Sequence, residues 1–323
     1  MRSIELPISR YDFILIAEAP VALSPFPGLT LRGALGHTLR RIVCATRMPA
    51  CAPCPLRFSC AYPVLFEPYA PPDHPEAVRY ARLPTPFTLE VPFDPPADRF
   101  AKPAPLSLSP GDHLSFGLTV IGRAREHLPY YLYAIMEMAR RGLGGPHQPF
   151  RLARAEMHTP SGPRVIYEEG SPMDHPPASP IRWAVPDLRA GRLAVRFATP
   201  ARLELRDDLV YPVEFPALIQ ALLHRIRALQ AAYGLLPDFA PDPGLVEAAQ
   251  AVRRAEDHTR WLDLRRYSTR QRTAMRVGGA VGTVVYESPD GFEPFALLLA
   301  MGQLLHVGKL ASMGLGRMEV IPL

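Results

Sequence analysis

The sequence predicts an α+β protein of two tandem, duplicated ferredoxin-like domains, each a β-α-β-β-α-β unit with an antiparallel sheet and its helices on one face. Three observations predict it. Phe26-Pro27-Gly-Leu opens one helical segment and Phe215-Pro216-Ala-Leu opens another. Leu128-Pro-Tyr-Tyr-Leu-Tyr-Ala-Ile-Met is echoed by Glu293-Pro-Phe-Ala-Leu-Leu-Leu-Ala-Met. Both of these later segments run into Gly-Leu-Gly, at 142–144 and 314–316, and then into a similar strand, Arg-Ala-Glu-Met in one half and Arg-Met-Glu-Val in the other. The period is about 170 residues, which is one supersecondary unit of this kind per half.

The elements follow in order. Tyr11 to Leu23 is apolar and β-favouring and reads as the first strand. After the turn Pro25–Gly28, Leu31, Leu35, Leu39 and Ile42 form one helical stripe, with Gly33, His37, Arg40 and Arg41 on another face. Residues 63–110 hold 13 prolines and read as an irregular connection with a short strand at Phe87–Phe93. Leu114–Ile121 reads as a strand, Leu128–Arg141 as an amphipathic helix, and Phe150–His158 and Arg164–Glu168 as strands. The proline-rich stretch 170–186 reads as a linker, giving domains at 1–170 and 187–323. In the second half Leu193–Leu205 is a strand, Phe215–Tyr233 a helix and Pro243–Asp257 an extra helical stretch. Trp261–Thr269 and Arg276–Tyr286 are strands, Glu293–Leu305 a helix, and Arg317–Ile321 the last strand. Between the last two lies His306-Val-Gly-Lys-Leu-Ala-Ser-Met-Gly-Leu-Gly316, a glycine-rich loop whose backbone N–H groups could approach a phosphate.

All four cysteines fall within 17 residues, as Cys44-x6-Cys51-x2-Cys54-x5-Cys60, an insertion at 44–62 directly after the first helix. In a reducing compartment that density suits a closed, structural four-thiolate zinc site; an iron–sulfur cluster is the alternative. The start MRSIELPISRYDF has no apolar core, and no apolar run approaches the ~20 residues of a membrane span, so a cytoplasmic protein with no membrane partner is expected. The net charge is only +5, but 34 of the 36 cationic residues are arginine, which favours forked contact with phosphate. Eight arginines fall between 253 and 276 against Glu256, Asp257 and Asp263, with Trp261 and Tyr267 between them. Cations interleaved with aromatic faces suit RNA.

Several stretches together resemble one family. They are Leu31-Arg-Gly-Ala-Leu-Gly36; Cys51-Ala-Pro-Cys-Pro-Leu56 with Cys60-Ala-Tyr62 and Leu65-Phe-Glu67; Arg265-Arg-Tyr-Ser268 with Gln271; and His306-Val-Gly-Lys309 with Met313-Gly-Leu-Gly316. They are similar to the CRISPR precursor-RNA-processing endoribonucleases, within the RAMP superfamily of tandem ferredoxin-like proteins. The resemblance implies metal-independent cleavage of CRISPR transcripts within the repeat, giving mature guide RNAs. A 2′-hydroxyl attacks the adjacent phosphate and leaves a 2′,3′-cyclic phosphate and a 5′-hydroxyl. That reaction needs a base, an acid and a cation for the phosphorane. The family often carries a histidine on or just after the first helix, with tyrosine and lysine partners. His37 occupies that place, but no lysine follows it and the helix has no tyrosine.

A combined catalytic site of His37, His306 and Lys309 is therefore expected, with Tyr267 as a weaker member. The expected RNA contacts are Arg32, Arg40, Arg41, Arg265, Arg266, Arg270, Arg272 and Arg276, with Gly308, Gly314 and Gly316 in the loop. CRISPR repeat RNA is the expected partner; other effector-complex subunits and a second copy of the chain are further candidates. No cofactor is expected in catalysis. A catalytically silent RAMP subunit that only holds guide RNA is the competing reading. A nucleotide-binding metabolic protein is disfavoured, because Leu310 follows Lys309 where a P-loop has Ser or Thr.

Overall fold

The computed structural model describes residues 2–71, 74, 82–98, 100–144, 147–178, 180–206, 208–236, 242–268 and 273–323, with backbone alone for 265–268 and 273–276. The first half holds β1 (Ile8–Ala17), α1 (Pro27–Val43), β2 (Phe87–Glu90), β3 (His113–Ile121), α2 (Leu128–Arg141), β4 (Phe150–Thr159) and β5 (Gly162–Glu168). Its antiparallel sheet runs β2-β3-β1-β4-β5. The second half holds β6 (Arg192–Ala201), α3 (Phe215–Tyr233), β7 (Arg253–Ser268), β8 (Thr273–Glu287), α4 (Ala296–Leu305) and β9 (Met318–Pro322). Its sheet runs β7-β8-β6-β9, again antiparallel. Leaving aside the added hairpin strand β5, both sheets place their strands in the order second, third, first, fourth. The two halves are therefore the same ferredoxin-like unit twice.

The patterning of the chain explains the elements. In β1 the side chains of Tyr11, Phe13, Leu15 and Ala17 alternate into the core, as a half-buried strand requires. In α1, Leu31, Leu35 and Leu39 are at most 1% exposed and form the inward stripe, and Pro27 suits the first helical turn because its missing N–H has no partner to lose there. The second core gathers around Phe215, whose ring lies 4.9–5.4 Å from those of Tyr286, Phe292 and Phe295. Each such fully buried ring contributes roughly 1.5–3 kcal/mol over an exposed one.

Three segments differ from the sequence reading. The first strand stops at Ala17, and Val21–Leu23 pairs separately with Leu106–Leu108, since the bend at Glu18–Ala19 before Pro20 interrupts the ladder. The linker contains a strand: Ile181–Val185 pairs antiparallel with Arg2–Leu6, so the chain start straps the connection between the halves. Residues 253–257 are the start of β7, and helix covers only Leu245–Ala251. Pairing along the full length of β8, from Arg253↔Glu287 onward, overrides the helical character of that stretch. Among the described residues, no helix is long and apolar enough to cross a membrane.

The halves meet through the glycine-rich loop. Ala311–Met313 forms a short 3-10 turn against α1 and β2. Met313 and Leu315 belong to the first core, as do Leu264 and Val277 from the β7–β8 hairpin. In return Leu6, Ile8 and Ile121 belong to the second core.

Candidate active site

His37 stands exposed on α1, in a pocket lined also by Arg40, Arg41, Cys44, Arg47 and Met48. The loop after the helix builds the far wall. Arg40 folds it back: its Nη2 donates to the carbonyls of Met48 and Pro49, the latter at 2.9 Å, while its guanidinium lies 5.7 Å over the ring of Tyr62. Arg41 and Arg47 are exposed and meet no carboxylate among the described residues. The pocket thus combines one proton-exchanging group with two uncommitted cations and one structural arginine. Arg32 lies further up α1, stacked 5.3 Å from the ring of Phe66.

The four cysteines of the inserted loop are unbridged and all line one small cavity, together with Arg40 and Tyr62. Burial, then nearby charges including those of Cys44 and Cys60, moves the Cys51 thiol up. Among the described residues, no three His, Cys, Asp or Glu donors converge closely enough to hold a metal ion. The donor set fits zinc in kind, and all four thiols line one cavity.

Several N–H groups of the glycine-rich loop are spent on the protein: Val307 donates to the Gly316 carbonyl at 2.8 Å, Lys309 to Arg202 at 3.0 Å, Gly314 to Ala311 at 2.9 Å and Gly316 to Pro200 at 3.0 Å. The glycines serve packing. A Cβ on Gly316 would lie 1.9 Å from the Val307 carbonyl oxygen, one on Gly308 2.3 Å from that of Arg202, and one on Gly314 3.2 Å from that of Leu89.

His306 is corrected. It is 1% exposed, its Nδ1 lies 3.0 Å from the Leu315 carbonyl, and its Nε2 has no partner among the described residues. A ring with no route to solvent cannot exchange a proton with RNA bound outside, so the expected His37–His306–Lys309 constellation is not assembled. Burial first, and the positive charge of Arg225 second, push the His306 pKa down to about 3. Unfolding restores its ordinary value of about 6.5. The stabilising effect of keeping it neutral is therefore complete above pH ~6.5 and is lost as pH falls toward ~3, at up to about 1.4 kcal/mol per pH unit. We expect chemical-denaturation stability to fall across that window, and His306→Gln to flatten the slope by one proton; an unchanged slope would rule out this origin.

Lys309 is half-exposed and paired with Glu204. Of the arginine stretch, Arg253 pairs with Glu287, Arg254 with Glu214 and Asp257, and Arg260 donates to the carbonyls of Pro96 and Asp98. These three are structural. Arg270 and Arg272 lie outside the described residues, as do the side chains of Arg265, Arg266, Tyr267 and Arg276.

Sequence reasoning missed a second cationic feature. A groove between α1, α3 and the loop is lined by Arg32, Arg206, His224, Arg225 and Lys309, with Glu204 its only carboxylate among the described residues. The signal was present as Gln220 and His224, four residues apart on one face of a largely apolar helix.

Comparison with known proteins supports this architecture. Residues 195–318 match the family model of the CRISPR-associated endoribonuclease Cas6, and residues 6–179 match an N-terminal-domain model designated AF_1859_N. Among solved structures, the Cas6 (TTHB231) product complex superposes with a TM-score of 0.56 at 17% identity, covering 97% of this chain and 99% of that one. Thermus thermophilus Cas6 (TTHB231) gives 0.54 at 16%, covering 98% and 99%. A partial Cas6-RT-Cas1–Cas2 complex gives 0.58 at 13%, covering 99% of this chain and 47% of that one. At these identities the structural likeness speaks for the fold. No curated protein sequence matches the chain.

Two ferredoxin-like units in tandem, joined through a glycine-rich loop, are the fold that this chain shares with the solved Cas6 structures. The match to the CRISPR-associated Cas6 endoribonucleases lies in the second of these units, over residues 195–318.

Proposed function

We propose that this protein cuts CRISPR precursor transcripts within the repeat, with His37 moving a proton at the cut. The single observation that carries the reading is the exposed imidazole of His37 in one pocket with Arg40, Arg41 and Arg47, in a chain whose residues 195–318 match the Cas6 endoribonuclease model. The 2′-hydroxyl loses its proton and attacks the adjacent phosphorus, the bond to the 5′ oxygen breaks, and that oxygen gains a proton. A 2′,3′-cyclic phosphate and a 5′-hydroxyl remain. His37 serves one of the two proton transfers, which suits imidazole near neutral pH. Arg41 and Arg47 hold the scissile phosphate and offset the charge that builds on the phosphorane.

The test is cleavage of the organism's own repeat RNA in magnesium-free buffer, alongside the same RNA carrying a 2′-deoxy sugar at the cut. We expect one cut, cyclic-phosphate ends, and no cut in the deoxy substrate. Cleavage of the deoxy substrate, or 5′-phosphate products, would overturn the chemistry. Tight binding without any cut would favour a silent RNA-holding subunit.

We also propose that Cys44, Cys51, Cys54 and Cys60 hold one structural zinc ion, which would fix the loop carrying Arg47 and Met48 beside His37. Its support is the convergence of four thiols on one cavity. Elemental analysis of protein purified without chelator should find about one zinc per chain, matching the single four-cysteine set. A metal-free, fully folded protein with four titratable thiols would refute it.

A further inference from the structure

The second groove has a feature that packing does not explain. Arg225, on α3, donates from Nε to the Leu305 carbonyl at 2.8 Å, and its Nη2 is buried with no partner among the described residues. Burial alone lowers its pKa, to about 10, and no carboxylate among the described residues offsets it. It therefore remains a positive charge near neutral pH, with no counter-ion among the described residues. A lone buried cation is costly to keep, and it raises the affinity of its wall for anions. The wall beside it presents His224 and Gln220 from α3, Arg206 and Lys309. Lys309 is already paired with Glu204, so the one carboxylate that lines the groove among the described residues is spent.

The groove and the His37 pocket share α1. Arg32 lies in the groove and His37 in the pocket, five residues further on, which is roughly 7.5 Å along the helix axis. Between them is Gly33, exposed, with nothing within 4 Å of where a Cβ would stand. That position forms a low saddle over which a chain of sugar and phosphate can cross the helix.

We infer that the RNA strand flanking the cut passes from the His37 pocket over Gly33 into this groove, where His224, Lys309 and the buried charge of Arg225 hold one of its backbone phosphates. The inference rests on the endoribonuclease reading for its register relative to the cut, and it assigns α3 the part of a phosphate-binding wall.

A methylphosphonate scan tests it, because that group removes a single backbone charge. Repeat RNAs carrying one neutral linkage each, and a 2′-deoxy sugar at the cut, are titrated against wild type, Arg225→Gln and His224→Ala. With wild type we expect one linkage close to the cut to weaken binding about tenfold. With Arg225→Gln the same linkage should cost less than about twofold, because the partner of that charge is gone. His224→Ala, at an exposed position, repeats the comparison if Arg225→Gln does not fold. Equal penalties in wild type and both variants, or no sensitive linkage near the cut, would overturn the inference. The scan reads binding alone, so a protein that binds but never cuts would fail the nuclease reading while still showing, or lacking, the sensitive linkage.

Discussion

His37→Ala should lower the single-turnover cleavage rate of repeat RNA by at least about 100-fold, with RNA affinity changed by less than about threefold. The rate loss follows from removing a positioned proton-transfer group, which contributes 10²–10⁴-fold in general. The small effect on affinity follows from the geometry. His37 is exposed and flanked by Arg40, Arg41 and Arg47, which keep their charges in the variant. Stability should also be unaffected, since no packing partner is lost at an exposed helix position. The three readouts together separate the proposal from its rivals. A variant that cuts at near wild-type rate would remove His37 from the chemistry and leave the cleavage to another group. A variant that loses affinity in proportion to rate would make His37 a binding residue.

Gly28→Ala should be a strongly damaging small substitution at the junction of the halves. A Cβ there would lie 2.0 Å from the carbonyl oxygen of Met313, an approach that only backbone movement relieves. Forced overpacking of this kind costs about 1–3 kcal/mol and sometimes more, and the thermal midpoint should fall by several degrees. The effect should reach function, because Met313 lies in the loop that forms one wall of the cationic groove. Gly33→Ala, five residues on, is the contrast. Nothing stands within 4 Å of its Cβ position, and the residue lies mid-helix, so alanine should stabilise the fold by up to about 1 kcal/mol. Cleavage should nonetheless slow in Gly33→Ala if RNA crosses the helix at that point. Calorimetry and single-turnover kinetics on both variants check the pair; a stable Gly28→Ala protein would contradict the described seam.

The fold was legible because the duplication wrote its periodicities twice. The leucine stripe of α1, the echo of α2 in the segment leading into α4, and the two Gly-Leu-Gly runs each mark the same position in successive units. The strap Ile181–Val185 was hidden by the prolines that flank it, and its partner Arg2–Leu6 is nearly 180 residues away, a distance at which pairing leaves no local signal. His37 was legible from its helix and its arginine neighbours. His306 was misread because the spacing His-Val-Gly-Lys is the same whether the loop faces outward or inward. Only the packing of Leu315 and Met313 into the first core turns His306 inside. Arg225 and His224 escaped notice because α3 reads as a core helix, and a buried uncompensated charge is recognisable only once its surroundings are known.

The exchange of side chains across the seam bears on how the duplicated gene can be dismantled. The second half donates Met313, Leu315, Leu264 and Val277 to the first core, and the first half donates Leu6, Ile8 and Ile121 to the second. Neither copy retains a complete interior of its own. A chain severed between residues 170 and 180 would thus yield two fragments that complement one another rather than two free modules. Their recovery of structure would depend on concentration, as for partners in an obligate heterodimer.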